Sequence, residues 1–280
     1  MPRRRSTIIF IRKIIMFELR ERDGVKFYVP TTIEAIGGIT AGFSTREGGV
    51  SEGCYSSMNL RWHCDDSHEN VLENYRRITA ALGIDYRDTV RAKQIHEDAV
   101  RIVGEADKGN GITRENAFES ADALMTDETG VCLCIVSADC TPVFMADPVK
   151  RVVSLIHSGW RGTVKRISVK AAEKMMREYG SKAEDIVCAI GPSIQIDCFE
   201  VGDDVAEIFI REFGADAAEK YGDRYHVSMQ RAIKKQLNDI GIYNIDDCGI
   251  CTCCSSDLLF SHRKTNGRRG NLGAFIRLDQ

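Results

Sequence analysis

The stretch SADCTPVFMADPVKRVVSLIHSGWRGT, residues 137–163, decides the fold. Two apolar runs, PVFMA (142–146) and VVSLIH (152–157), flank Asp147-Pro148-Val149-Lys150. Proline is welcome at the second position of such a turn, where its fixed φ is already correct. Strands joined by so short a connection pair antiparallel, which argues against an all-parallel doubly wound sheet. If Asp147 faces Lys150, regular pairing carried outward sets Cys140 opposite His157. Opposite residues share a face with Cβ atoms about 4.5–5.5 Å apart. A thiolate and an imidazole placed there have the reach to bind one ion, at about 2.3 Å for zinc–sulfur and about 2.0–2.1 Å for zinc–nitrogen. Two facts oppose a simple hairpin. Pro142 cannot donate to the ladder and needs an edge or a bulge, and a slip of one residue would send the two side chains to opposite faces. A purely structural Cys/His pair therefore stands beside the metal reading.

Outward from the hairpin, strand-like runs fall at Phe27–Val29, Ile39–Phe43, Ala99–Val103, Val131–Val136, Val143–Ala146, Val152–Ile156, Ile186–Ile190 and Ala274–Leu278. Helical patterns cover Glu69–Leu82, Val164–Tyr179, Gly202–Phe213 and Met229–Asp239. The first begins among Asp and Ser cap candidates and carries Val71, Tyr75, Ile78 and Leu82 at helical spacing. The second ends at Gly180, a suitable C-cap residue. Mixed helices and strands with a tight hairpin predict an α+β fold. No repeat and no Pro- or Ser-rich linker divides the chain, so a single domain over 16–280 is expected.

Residues 1–15, MPRRRSTIIFIRKII, form a basic extension outside that domain. Arg12-Lys13 interrupt what a secretory signal would need as an unbroken apolar core. Initiation at Met16 and a loosely attached basic tail both fit.

A net charge of −3 over 280 residues offers no field to attract nucleic acid or anionic lipid. No apolar run approaches the roughly 20 residues of a membrane span, so no membrane partner is expected. The 11 cysteines are odd in number, and several lie in strand-like runs, so they read as reduced thiols in a cytoplasm. Most are expected to be packing residues, because free cysteine behaves as a small hydrophobe.

A third ligand would turn the Cys140/His157 pair into a metal centre. His96, in RAKQIHEDAVRIV, is polar-flanked and precedes a strand-like run. Three protein ligands with one open position make the catalytic zinc pattern. His63 and His68 sit at a polar helix entrance and are expected to be solvated, and His226 is expected in a loop.

Six motifs in order carry a family resemblance: FSTREGGVS (43–51), KQIH (93–96), ADALMTDETGVCLCIVSADCTPV (121–143), IHSGWRGT (156–163), IGPSIQIDCFEVG (190–202) and CTCCSSDLLFSHRKTNGRRG (251–270). Together they cover about residues 20–280. The chain resembles the multi-copper polyphenol oxidase "laccase domain" family, now mostly described as purine nucleoside phosphorylases. The resemblance implies mixed sheets sandwiched between helices. It implies a zinc enzyme that phosphorolyses adenosine, inosine, guanosine and methylthioadenosine and deaminates adenosine. It also implies His96, Cys140 and His157 as metal ligands, and Arg46 of FSTREGG as a phosphate contact. Gly48-Gly49 beside Arg46 leave room for backbone amides to approach an oxyanion. HCDD (63–66) departs from the family's frequent Gly-Asp, and Asn74-Tyr75 from its Asn-Arg.

Deamination needs hydroxide near neutral pH, which zinc supplies by lowering the pKa of bound water to around 7. Asp139, next to Cys140, is the candidate to orient a ligand or carry a proton, or else a turn-capping aspartate. Arg263 of FSHRK is a second cation for phosphate, and Trp160 a surface for a purine base or simply for packing. A multicopper oxidase would use more than the six histidines here, in His-x-His pairs that the chain lacks. Copper is expected only as an in vitro substitute. Two other classes remain: a thiol hydrolase with Cys140 as nucleophile and His157 as base, and a non-catalytic metal-binding protein. Cys248, Cys251, Cys253 and Cys254 are too crowded for paired C-x-x-C knuckles and have no partner pair elsewhere, so packing is expected of them. NGRRGNLG (266–273) lacks the strand-then-helix context of a phosphate loop and reads as a turn.

Overall fold

A computed structural model describes residues 16–280, so the basic extension lies outside the described residues. In chain order the elements are β1 (Phe17–Arg22), β2 (Val25–Pro30), α1 (Thr31–Glu34), β3 (Ile39–Ser44), α2 (His68–Ala81), β4 (Thr89–Arg91), β5 (Val100–Ile102), β6 (Ala123–Thr126), β7 (Cys132–Ser137), β8 (Thr141–Asp147) and β9 (Val152–Ser158). There follow α3 (Trp160–Val164), α4 (Ile167–Tyr179), β10 (Val187–Ile190), β11 (Glu200–Val201), α5 (Asp203–Phe213), β12 (Ala218–Tyr221), β13 (Arg224–Val227), α6 (Met229–Asp239), β14 (Ile245–Asp247), α7 (His262–Thr265) and β15 (Leu272–Leu278).

Two six-stranded mixed sheets dominate, ordered β1-β2-β3-β15-β7-β4 and β14-β10-β8-β9-β6-β5. The run VVSLI explains how they stack. Val153 and Leu155 face a core shared with Leu133, Ile135 and Ile276 of the other sheet. Val152 and Ile156 face the opposite way, against Ala171 and Met175 of α4 and Ile233 of α6. In β7 the same alternation sends Leu133 and Ile135 inward and Cys132, Cys134 and Val136 toward Val71, Tyr75 and Ile78 of α2. A strand covered on both faces must be apolar throughout. The result is a four-layer α+β domain of mixed sheets sandwiched between helices, as the sequence led us to expect. Each fully buried Val, Ile or Leu in these layers contributes about 1.5–3 kcal/mol.

Helix α2 starts where Ser67 accepts a hydrogen bond from the Glu69 N–H, a cap worth about 1 kcal/mol. The expected single helix over Val164–Tyr179 is instead two, broken at Arg166, which is left-handed with φ 63°. That residue turns the chain so that α3 stays near the hairpin mouth while α4 lies along the sheet.

The hairpin differs from the expected register. Asp147 pairs with Val152, leaving a four-residue loop, and His157 faces Pro142 instead of Cys140. The Asp147 carboxylate accepts the N–H groups of Val149 and Lys150, and Arg151 adopts φ 53°, so the turn is wider than Pro-Val alone would make it. Cys140 lies just beyond the strand, two residues from Pro142. An even shift keeps both side chains on one face. Pro142 lies one residue past the last pair of the β8–β10 ladder, Val143–Ile190, and its β9 partner His157 sends its N–H to the Asp122 carbonyl instead, so the missing donor costs no ladder bond. His226 also differs from its expected loop: it lies in β13, with Nδ1 2.8 Å from the Ile196 carbonyl.

Candidate metal centre

His157 comes from the end of β9, Cys140 from the tight link between β7 and β8, and His96 from the loop before β5. Their ligand atoms all lie within 4.8 Å of one another. The two imidazole rings meet edge to face with centroids 5.0 Å apart. His157 is only 3 % exposed, whereas His96 is open to solvent, so the cluster is closed at its base and accessible above.

A carboxylate absent from the sequence-level reading organises this arrangement. Asp122, fully buried immediately before β6, accepts from His157 Nδ1 at 2.9 Å. The same carboxylate accepts the backbone N–H groups of Ile95, His96 and Glu97 at 3.0, 3.0 and 3.1 Å. Those bonds hold His96 at φ 64°, a left-handed conformation that costs a non-glycine residue on the order of 1–3 kcal/mol. Three hydrogen bonds to a charged group, at about 1.5–3 kcal/mol each, outweigh that strain. The exposed ion pairs Lys165–Glu97 and Lys170–Asp98 add little, because solvent screens them. Asp122 thus fixes one imidazole directly and the other through its backbone. Burial would raise its pKa, but the His157 imidazole and these N–H donors bring it below the usual carboxylate range.

Electrostatics within the cluster favour a thiolate. Burial pushes the Cys140 thiol up, but His157 and His96 more than compensate and bring it down to about 6. Burial likewise disfavours a charged His157, but Cys140 and Asp122 raise it to about 9.

Gly159, two residues after His157, is a second residue missed from sequence. A Cβ there would stand 3.0 Å from His96 Nδ1 and 3.1 Å from Cys140 Sγ. Its φ of −73° is open to any residue, so the position is small to leave room between the ligands, not to permit an unusual backbone.

The cluster lies at a cavity of about 360 Å³, within the range of small-molecule sites. Trp160, Ile194, Phe199 and Met229 form its apolar wall, and Arg161, Arg263 and Arg269 its cationic one. Arg161 stacks on Trp160 at 4.4 Å. The Arg269 Nε is buried without a hydrogen-bond partner, and its Nη2 lies 3.2 Å from His262 Nδ1. Burial and the neighbouring Arg269 and Arg61 push His262 below its ordinary value.

Two expected site residues, Asp139 and Arg46, are tied into hydrogen bonds with neighbouring loops. The Asp139 carboxylate borders the cavity but accepts from Thr252 Oγ1 at 2.6 Å and from the Arg263 N–H at 2.7 Å. The carboxylate that touches a candidate ligand is Asp122. The Arg46 guanidinium donates to the carbonyls of Ser56 and Ser256 at 2.8 and 3.0 Å and lies over the Phe260 ring. It does not line this cavity; it braces the loop that leads to His262. Arg263 does line it, although two of its nitrogens donate to the Cys198 and Glu200 carbonyls.

A thiol and two imidazoles at the base of a half-open cavity, on a mixed-sheet α+β frame, define a protein with a candidate mononuclear metal centre. Residues 40–279 match the family described as multi-copper polyphenol oxidoreductase laccase, and the chain belongs to that family. It is 33% identical to purine nucleoside phosphorylase YlmD of Bacillus subtilis, over 85% of this chain and 88% of that protein. It is 33% identical to adenosine deaminase RL5 of an unknown prokaryotic organism, over 89% of this chain and 94% of that one. The crystal structure of YlmD from Geobacillus stearothermophilus superimposes with a TM-score of 0.87 at 30% identity, covering 95% of this chain and 99% of that one.

Proposed function

We propose that the chain is a zinc-dependent purine nucleoside enzyme. It would phosphorolyse adenosine, inosine, guanosine or methylthioadenosine and deaminate adenosine. The observation that carries this reading is the convergence of Cys140, His96 and His157 within 4.8 Å at the base of the cavity. The relatives' names, purine nucleoside phosphorylase and adenosine deaminase, support the substrate class.

The donor set fits zinc: one thiolate and two imidazoles, a carboxylate behind one of them, and space preserved by Gly159. Bound there, zinc would supply Lewis acidity and a water activated near neutral pH. The protein's own groups do the rest. Asp122 holds His157 with Nε2 free for the ligand position. Trp160 and Phe199 present flat faces on which a purine can stack. In phosphorolysis a phosphate oxygen bonds to C1′ as the bond from C1′ to the base breaks, and the base leaves with a proton. Arg161 and Arg269 line the cavity and would hold that phosphate, and Asp139, which borders it, would carry the proton. Arg46 acts at one remove, by positioning the loop behind them.

The Cys140 thiol, held down at about 6 between two imidazoles, also favours a second reading, a thiol hydrolase with His157 as base. Metal content separates the two, because bound zinc occupies the thiolate. The test is to incubate metal-quantified protein with adenosine, with and without phosphate, and follow adenine, inosine and ribose-1-phosphate. Adenine and ribose-1-phosphate that appear only with phosphate, and inosine that appears without it, support the proposal. No product from zinc-containing protein overturns it.

A further inference from the structure

A second cluster of metal-ligating side chains lies outside the site above. The crowded CTCC segment lacks a partner in sequence, and the fold provides one. Cys198, on the turn before β11, meets Cys251 and Cys254, with all three sulfurs within 4.8 Å of one another. Cys198 Sγ is 3.4 Å from Cys254 Sγ. The Gln195 backbone N–H points at Cys251 Sγ at 3.5 Å, a donor suited to a thiolate. Cys248 is not part of this group: its sulfur accepts from the Ile250 N–H, and its side chain packs against the central core.

We propose that Cys198, Cys251 and Cys254 form a second metal site, a trithiolate that takes one zinc-like, thiophilic cation. Three sulfurs bound to a common ion at about 2.3 Å would stand a little under 4 Å apart in a tetrahedral array, close to the spacing already present. Packing alone gives no reason to gather three thiols at one place while leaving Cys254 exposed to solvent. The site also has a position in the architecture. Ile194 and Phe199, on the Cys198 side, line the catalytic cavity. Thr252, on the other side, donates to Asp139. An ion here would cross-link the two chain segments that form that cavity's wall.

The test is zinc stoichiometry on the full chain, kept reduced and titrated against a chromogenic chelator. The expected counts are two zinc ions for wild type, one for Cys140→Ala, one for Cys254→Ser and none for the double variant. Cys254 is exposed, so its replacement by serine leaves the fold intact, which circular dichroism checks. Cobalt(II) in place of zinc gives an independent readout. Sulfur-to-cobalt charge-transfer absorption should be about threefold stronger in Cys140→Ala, with three thiolates, than in Cys254→Ser, with one. Wild type and Cys254→Ser binding equal amounts of zinc would overturn the proposal. So would a Cys198–Cys254 disulfide in the isolated protein that returns no zinc site on reduction. If Cys140→Ala retains the wild-type count while Cys254→Ser loses one ion, the second site stands and the catalytic centre's ligand set fails instead.

Discussion

The two sulfur-bearing clusters of this protein are built in opposite ways. His96, Cys140 and His157 hang from strand ends and one braced loop, and a single buried carboxylate, Asp122, organises two of the three. Cys198, Cys251 and Cys254 sit on turns, with one sulfur in solvent and no carboxylate bonded to any of them among the described residues. The first arrangement pays its ordering cost when the chain folds. The second leaves more of it to the moment of binding, so its ion should bind less tightly and exchange faster. Pre-organisation, more than donor type, separates a centre suited to chemistry from one suited to holding two segments together.

The largest effect should come from Cys140→Ala. It removes the only sulfur of the first cluster, and turnover of purine nucleosides is expected to fall by about 10³-fold or more, measured by product release under saturating zinc. The second cluster should keep its ion. Asp122→Asn should come next. It exchanges the charged acceptor behind His157 for a neutral one and loosens the His96 backbone. Zinc affinity at the first centre should drop about 10–100-fold by chelator competition, with no change at the thiol cluster. Gly159→Ala should be milder, a smaller loss of affinity than Asp122→Asn, since the new methyl would stand 3.0 Å from His96 Nδ1 and the ring must yield a few tenths of an ångström. Circular dichroism should show that variant folded, because φ of −73° suits alanine.

Acidification offers the smallest and most graded comparison. The first cluster's thiol is depressed to about 6. A depressed pKa means the thiolate persists above that value and is lost as pH falls through it. His157 is raised to about 9, so a proton competes with the ion for its imidazole below that value. Zinc release from the first centre should therefore steepen as pH drops through about 6, where the thiolate is lost as well, followed by dialysis and metal analysis. The Cys198 thiol is pushed up, first by burial and then by its sulfur neighbours, so protons compete for the second cluster at higher pH. That ion should leave first during a downward titration.

Much of this was legible in the sequence where apolar runs were long. The strands at 131–136, 143–146, 152–156 and 274–278 declare themselves because both faces are covered. Strands such as FELRER, AEKY and IDD are short or half-solvated and carry no comparable signal. The hairpin register was missed by two residues because the Asp147 side chain, not the proline, sets the turn. The error was harmless to the site, since an even shift preserves the face. Asp122 could not be found in this way. Between Ala121 and Ala123 it looks like any strand-edge aspartate, and its role exists only once β6 lies beside β9 and the 95–97 loop folds back. Cys198 was hidden for the same reason, lying 56 residues from Cys254 until the fold joins them.

The central claim is that His96, Cys140 and His157 bind a single ion. Anomalous diffraction at the zinc absorption edge, on crystals of the protein as purified, tests it most directly. The account predicts a peak about 2.3 Å from Cys140 Sγ and about 2.0–2.1 Å from one nitrogen of each histidine. A map with no peak among those atoms, from protein that turns over purine nucleosides, would contradict it.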